Sequence, residues 1–560
     1  MSARPSSVSR LPRFAAGATF FALVAALPAI ADTIRGRVFE DLNANARWDA
    51  GEPGLPGVHV SDGTQLVATD VEGRYTLEVD DDCTVFAIKP SGFRPPIDEH
   101  QLPRFYYHHV PHGTADASYR FKGIAPTGPA PASVDFPFQR QAEAEKFTVA
   151  LVADPQPYNT RELGYYGRAT VSALAALRPA FGVALGDLVG DNLALHPLYA
   201  QVNARAGFPW FNVIGNHDLN YDAPDDRDAD SSYRRVFGPS TYAFRHGRAH
   251  FLVFNNVYWL GRTLNEKGDV KAANYTARLR PEQLRFAAAF LATVPSDDLV
   301  VVCTHIPMVH RRPDAASPFL TPEFPELLKL LSTHPRTLSV SGHMHYTYSE
   351  TFGAADGYAA GGGARHLHIS IPTASGSWYS GALGADGLPT SLQSDGTPPG
   401  FMVLEIDGAD YRLRYQALGR SPQEQMRVYA PDIVDPAKPA APLQVNLYLG
   451  NADARVRYRV AGLTEWTELA RETGLDPAFV SLRERSNPLA KSGGYRAMPT
   501  PTPTDHLWSA PLPADLPPGV HRIEVEATDA FGLTSTAQTL VRVLAPADPW
   551  KEADDTSRRK

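Results

Sequence analysis

Five apolar runs in the middle of the chain each stop on a side chain of metal-ligand type. FTVALVAD stops at Asp154, followed by Pro155 and Gln156, and AFGVALGD stops at Asp187. WFNVIGNHD ends on Asn216, His217 and Asp218, LVVVCTH on His305, and TLSVSGHMH on His343 and His345. The runs alternate with helix-like segments such as ATVSALAALRP (169–179) and PEQLRFAAAFLATV (281–294), a pattern that predicts a layered α/β domain. Pro281 and Glu282 give the second segment a favourable helix start. In an open α/β sheet, functional groups gather in the crevice at the carboxyl ends of the strands. Taken singly the signals are weak: Asp187 after Gly186 could be a turn or a helix cap, and the H-x-H pair could be two histidines on one strand face. Taken together, five such ends in one domain predict a shared metal site.

The rest of the 560 residues divides around that core. Arg4, Arg10 and Arg13 precede an apolar stretch from Phe14 to Leu27, and Ala29-Ile30-Ala31 fits an A-x-A cleavage site, so residues 1–31 read as a signal peptide cut after Ala31. The alternative is a retained anchor, but the stretch is shorter than the ~20 residues a span needs, and no other segment is long and apolar enough. The mature chain is expected to start at Asp32 and to be periplasmic or secreted, with no transmembrane helix. Losing the three arginines takes the formal charge from −8 to −11; without a basic run, such a chain is a poor partner for nucleic acid. Residues 32–123 carry short strands and turns (TIRGRVFE, GVHVSDG, RYTLEV, TVFAIKP) and predict a β-sandwich. Residues 124–144, with APTGPAPASVDFP (125–137), read as a Pro-rich linker to an α/β domain over 145–420. Residues 421–547 are β-rich again, and 548–560 form a polar tail expected to be disordered. Cys83 and Cys303 fall in different predicted domains, so no disulfide is expected, and Cys303 reads as a buried small hydrophobe.

The order D-x-Q, G-D, G-N-H-D, H, G-H-x-H resembles that of the calcineurin-like metallophosphoesterases over about half of the chain. FYYHHVPHG (105–113) and HLWSAPLPADLPPGVHRIEVEATDAFG (506–532) are similar to the N-terminal and C-terminal accessory domains of one bacterial branch. The resemblance implies a four-layer α/β/β/α catalytic domain between an N-terminal β-sandwich and a C-terminal immunoglobulin-like β-sandwich domain. It implies hydrolysis of a phosphomonoester or phosphodiester by two divalent ions, manganese first, with iron, zinc or magnesium as the others. Such ions lie ~3.5–4 Å apart. The family pattern makes Asp187 the bridging ligand, with Asp154, Gln156 and His345 on one ion and Asn216, His305 and His343 on the other. His217 is then the proton donor to the leaving oxygen, and Asp218 is expected to orient it. The chain departs from the pattern twice. Gln156 stands where histidine is commoner, and its harder amide oxygen favours manganese- or magnesium-like ions. GDLVGDN places a usually supporting acid one residue late, at Asp191.

Three smaller signals remain. DLNANARWDAGE has oxygen-bearing side chains at Asp41, Asn43, Asn45, Asp49 and Glu52, matching positions 1, 3, 5, 9 and 12 of a calcium loop; Ala46 replaces the usual glycine, and a plain polar turn is the alternative. YDAPDDRDADSSYRR (221–235) reads as a solvated acidic loop. Trp378 and Tyr379, in SGSWYSG, offer either an aromatic wall for substrate or packing against a neighbouring domain. The substrate is expected to be a small phosphoester or an envelope polymer, and the oligomeric state is not legible. The rival reading is a non-catalytic, metal-stabilised envelope- or glycan-binding protein; the intact His217-Asp218 pair argues against it, since a structural metal site needs no proton donor.

Overall fold

The computed structural model describes residues 32–114, 119–264, 274–310, 321–439 and 441–545. The expected signal peptide and the 548–560 tail lie outside the described residues. Two mixed sheets form the centre. One runs in the order Trp210–Val213, Phe181–Leu185, Lys146–Val152, Gly400–Asp407, Asp410–Ala417. The other runs Tyr242–His246, Ala249–Val253, Leu299–Cys303, Thr337–Ser341, His366–Ser370, Tyr348–Phe352. Phe181–Leu185 is parallel to both its neighbours, and so are Leu299–Cys303 and Thr337–Ser341. Every residue of these three strands is buried; Phe181–Leu185 and Leu299–Cys303 accordingly read as near-continuous apolar runs, whereas Thr337–Ser341 buries its alternating Thr and Ser side chains as well.

The pleat sorts each strand between two cores. Val149 and Leu151 face the second sheet and its helices, Pro281–Leu291 and Phe324–Leu331, while Ala150 and Val152 face Leu163, Leu174 and Tyr199 of the opposite helical layer. The result is the expected helix–sheet–sheet–helix stack. Pro281 occupies the first turn of its helix, and the Gln283 side chain accepts from the Arg280 amide at 2.8 Å, closing the N-terminus. Cys83 and Cys303 are both free, and Cys303 is buried in its strand. Among the described residues no helix is long and apolar enough to cross a membrane.

The N-terminal region is a sandwich of two four-stranded sheets. Its boundary corrects the sequence reading. Phe136–Arg140, inside the segment read as linker, is a strand that pairs in parallel with Val38–Glu40. Pro137 hid it, because a proline within a run reads as a strand breaker, yet Phe136 and Phe138 alternate into the core. The acidic stretch 221–235 also differs from expectation. Asp226 pairs with Arg280, and Arg234 pairs with both Asp230 and Asp82 of the N-terminal sandwich at 2.8 Å, so the stretch is a partly buried seam leading into the helix Ser231–Phe237 rather than a wholly solvated loop.

The C-terminal region is a second two-sheet sandwich, with a helical insertion, Pro477–Ser486, between the strands Ala470–Gly474 and Thr504–Ala510. A buried polar knot fastens it to the catalytic domain. Asp395, fully buried, lies 3.0 Å from His506 Nε2 and accepts the Thr347 amide at 2.7 Å; His506 Nδ1 meets Asn446 Oδ1 at 2.8 Å. Burial alone would raise the Asp395 carboxyl, but His506 and the Thr347 and Thr397 amides outweigh it and hold it below the usual carboxylate range. Its contribution is therefore complete above that range and is lost as pH falls through the lowered value. Asp395→Ala leaves His506 Nε2 and the Thr347 and Thr397 amides unpaired, at a cost of about 3–5 kcal/mol. Scanning calorimetry should show a melting temperature lowered by several degrees, and an unchanged one would refute the role.

Candidate metal centre

The expected ligands meet where the two sheets face each other. Asp154, Gln156, Asp187 and Asn216 follow strands of the first sheet, and His305, His343 and His345 follow strands of the second. His305 Nε2 lies 3.0 Å from Asn216 Oδ1, 3.3 Å from Asp187 Oδ1 and 3.3 Å from His343 Nδ1. Asp187, His305 and His343 each offer a ligand atom within 4.8 Å of the others. Beside this group, His345 Nε2 faces Asp154 Oδ1 at 3.4 Å. Two of the rings are held from behind. His305 Nδ1–H donates to Leu185 O at 2.9 Å and His345 Nδ1–H to Gly376 O at 2.6 Å, which turns each Nε2 lone pair toward the cluster.

These donors fit a pair of divalent cations. Asp154 and Gln156 are fully buried, and Asp154 Oδ1 and Gln156 Oε1 have no hydrogen-bond partner. An unpaired buried acceptor costs about 1–3 kcal/mol, more for a carboxylate, and a bound cation is what would offset it. The mixed set of carboxylate, amide and imidazole donors suits divalent ions with oxygen preference. The backbone is bent to make the set. Asp154, Gln156, Asp187, His343 and His345 all have φ between +40° and +74°, the left-handed region that non-glycine residues avoid. The motif glycines make room: a Cβ on Gly215 would lie 2.1 Å from Asp187, and one on Gly342 would lie 2.4 Å from Asp154 Oδ2.

The pairing of His217 overturns an expectation. Its Nδ1 lies 2.6 Å from Asp191 Oδ1, not on Asp218. Tyr221 Oη donates to the same Asp191 oxygen at 2.9 Å. Asp218 instead turns inward, accepts the amides of Leu188, Val189 and Gly215 at 2.9–3.2 Å, and meets His196 Nε2 at 3.1 Å, fully buried. The physical reason is the tight turn Asn216–Asp218, in which consecutive side chains leave in different directions. Asp191, one residue late in the motif, reaches His217 from a left-handed φ of 62°. Burial opposes a charged imidazole at His217, but Asp187 and Asp191 outweigh it and lift the group to about 9.

The two aromatic candidates separate. Trp378 stacks on the His345 ring at 4.2 Å, whereas Tyr379 donates to Pro155 O and packs beside Tyr165. In the N-terminal loop, Asp41 accepts the amides of Asn45 and Ala46, and Asp49 accepts from Asn43 and Asn45, so these side chains gather around one turn. Glu52 accepts the Leu42 and Asp49 amides, and Ala46 makes the sharp turn at φ 59° without glycine. Sequence reasoning missed Tyr158, Tyr221 and Arg496. Tyr221 lies four residues after His217 and was legible in principle; Arg496, from the C-terminal region, carries no local signal at all.

Comparison with known families matches three consecutive models along the chain. The N terminal of calcineurin-like phosphoesterase covers residues 42–125, calcineurin-like phosphoesterase itself 147–347, and its C terminal 369–534. The central match takes in every candidate ligand from Asp154 to His345. Among solved structures, a dimetal phosphatase from Danio rerio is 18% identical, covering 49% of this chain and 96% of its own, with a TM-score of 0.33. A purple acid phosphatase from yellow lupin (Lupinus luteus) seeds is 11% identical, covering 65% of this chain and 67% of its own, also at 0.33. No curated protein matches. With its three segments matched in order and its strand-end ligands gathered within the central one, the chain belongs to the calcineurin-like phosphoesterases and is a phosphoester hydrolase.

Proposed function

We propose that the protein is an exported phosphoesterase whose dinuclear centre works with manganese on a phosphomonoester or phosphodiester of a small molecule or envelope polymer. Asp154, Gln156 and His345 would hold one ion and Asn216, His305 and His343 the other, with Asp187 available to both. The pair of buried oxygens without partners, Asp154 Oδ1 and Gln156 Oε1, carries the reading. Gln156 supports manganese over softer ions, because an amide oxygen is a hard ligand. When bound, the two cations neutralise the phosphoryl charge and supply a nucleophile at neutral pH.

The chain's own part is orientation and proton transfer. Asp191 fixes His217 through Nδ1, leaving Nε2 toward the cluster, 4.0 Å from Asp187 Oδ2. From there His217 gives its proton to the leaving oxygen, and Tyr221 holds Asp191 in place. Asp218 has a structural task, bracing the two ligand-bearing turns. Export is supported by the signal-like pattern of residues 1–31, and sequencing the extracytoplasmic protein should give Asp32 as its first residue. The loop Asp41–Glu52 is proposed to take one calcium ion that stiffens the N-terminal sandwich, on its residue spacing alone.

Stripping the protein with a chelator should lower its melting temperature, and manganese at about 100 times its dissociation constant should return about 2.7 kcal/mol. His305→Ala should reduce the manganese bound per chain in elemental analysis, whereas an unaltered content would remove His305 from the ligand set.

The kinetic test uses nitrophenyl phosphate and bis-nitrophenyl phosphate with the manganese-loaded chain. His217→Ala and Asp191→Asn should each lower kcat by about 100-fold or more at unchanged melting temperature. Asp218→Asn should act oppositely, costing about 3 kcal/mol of stability by disturbing a buried network. Wild-type kcat in Asp191→Asn would refute the assignment of His217's partner, and absence of turnover of both esters would count against catalysis.

A further inference from the structure

The C-terminal region reaches the mouth of the metal centre through one residue. After the helical insertion, the chain runs back along the catalytic domain, where Met498 is buried with Leu392 and Phe479. Two residues earlier, Arg496 O accepts the Gly381 amide at 2.8 Å, and Arg496 Nη1 donates to Trp378 O at 2.8 Å. Its guanidinium lies 4.7 Å over the ring of Tyr158. That ring meets His217 edge-on at 6.0 Å, and its hydroxyl accepts from Gln156 Nε2 at 3.2 Å. Gly190 gives the ring its place, since a Cβ there would lie 2.7 Å from it. Arg496 is thus stacked one aromatic ring beyond His217.

Its charge is not consumed by the contacts that hold it. Among the described residues the one carboxylate paired with it is Glu162, at a long 3.4 Å, and the Arg496 side chain stays 38% exposed. A guanidinium has five N–H donors, and the bond to Trp378 O needs only one of them. Stacking on Tyr158 fixes the plane of the group and reduces the side-chain freedom an incoming anion would otherwise have to remove. The exposed side of the guanidinium therefore keeps donors that an anionic group could use.

We propose that Arg496 is a specificity-determining residue that receives a second anionic group, a carboxylate or phosphate, carried by the leaving portion of the substrate a few atoms beyond the ester oxygen. The proposal rests on the phosphoesterase reading above, and places the preferred substrates among phosphoesters with a remote negative charge.

The test compares phenylphosphonate with 4-carboxyphenylphosphonate, a non-hydrolysable pair that differs only in the remote carboxylate. Calorimetric titration of the full manganese-loaded chain should show the carboxylated analogue bound about tenfold tighter, the range of one charge-assisted contact at a partly exposed site. Arg496→Gln, which keeps a donor for Trp378 O but removes the charge, should abolish that preference and leave phenylphosphonate affinity within about twofold. Arg496→Lys should retain part of it, as a point charge without the planar fork. Absence of a preference in the wild type, its persistence in Arg496→Gln, or equal weakening of both analogues would overturn the proposal. Failure of the wild type to bind either analogue, together with no turnover of nitrophenyl phosphate, would overturn the phosphoesterase reading and this proposal with it.

Discussion

The structure depends on holding two buried carboxylates, two amides and three imidazoles within a few ångströms of one another. Such a group is unfavourable by itself. Asp154 is fully buried with one oxygen unpaired, and five of its members sit at left-handed backbone angles that cost about 1–3 kcal/mol each. Strain of this kind persists only where the surroundings overdetermine it. Here the strands behind the ligands are buried where they meet the ligand turns, so that no turn can relax without disturbing two cores.

The residues behind the ligands complete the centre. Leu185 O and Gly376 O orient His305 and His345, and Asp218 collects three amides from the turns that carry Asp187 and Asn216. Asp191 and Asp218 divide two jobs that the motif alone would assign to one carboxylate. The inward acid stabilises the turns, and the one nearer solvent holds the His217 imidazole beside the cluster.

The flanking sandwiches are fastened by buried charge rather than by tethers. Arg234 and Asp82 join the N-terminal sandwich to the helix after the G-N-H-D turn, and Asp395 and His506 join the C-terminal sandwich to the loop after G-H-x-H. A buried polar pair demands close geometry, because either partner left unsatisfied is expensive, and so it fixes orientation as well as contact. That fixity is what allows a loop of the C-terminal sandwich to bring Arg496 to a catalytic mouth built by another domain.

What the sequence by itself determined is local in origin. Apolar runs of strand length, glycines beside acids, and ligand-type residues at run ends disclosed the α/β domain and seven candidate ligands, because each run and the residue that ends it are neighbours in the chain. The tertiary structure decided what depends on direction and distance. It gave His217 to Asp191 rather than to the adjacent Asp218, since a tight turn points neighbours apart and a left-handed residue brings a later acid round. It made a strand of Phe136–Arg140, whose proline concealed an alternation that only the partner strand completes. It also set Arg496 over Tyr158, 338 positions away, through domain packing that leaves no periodicity in either segment.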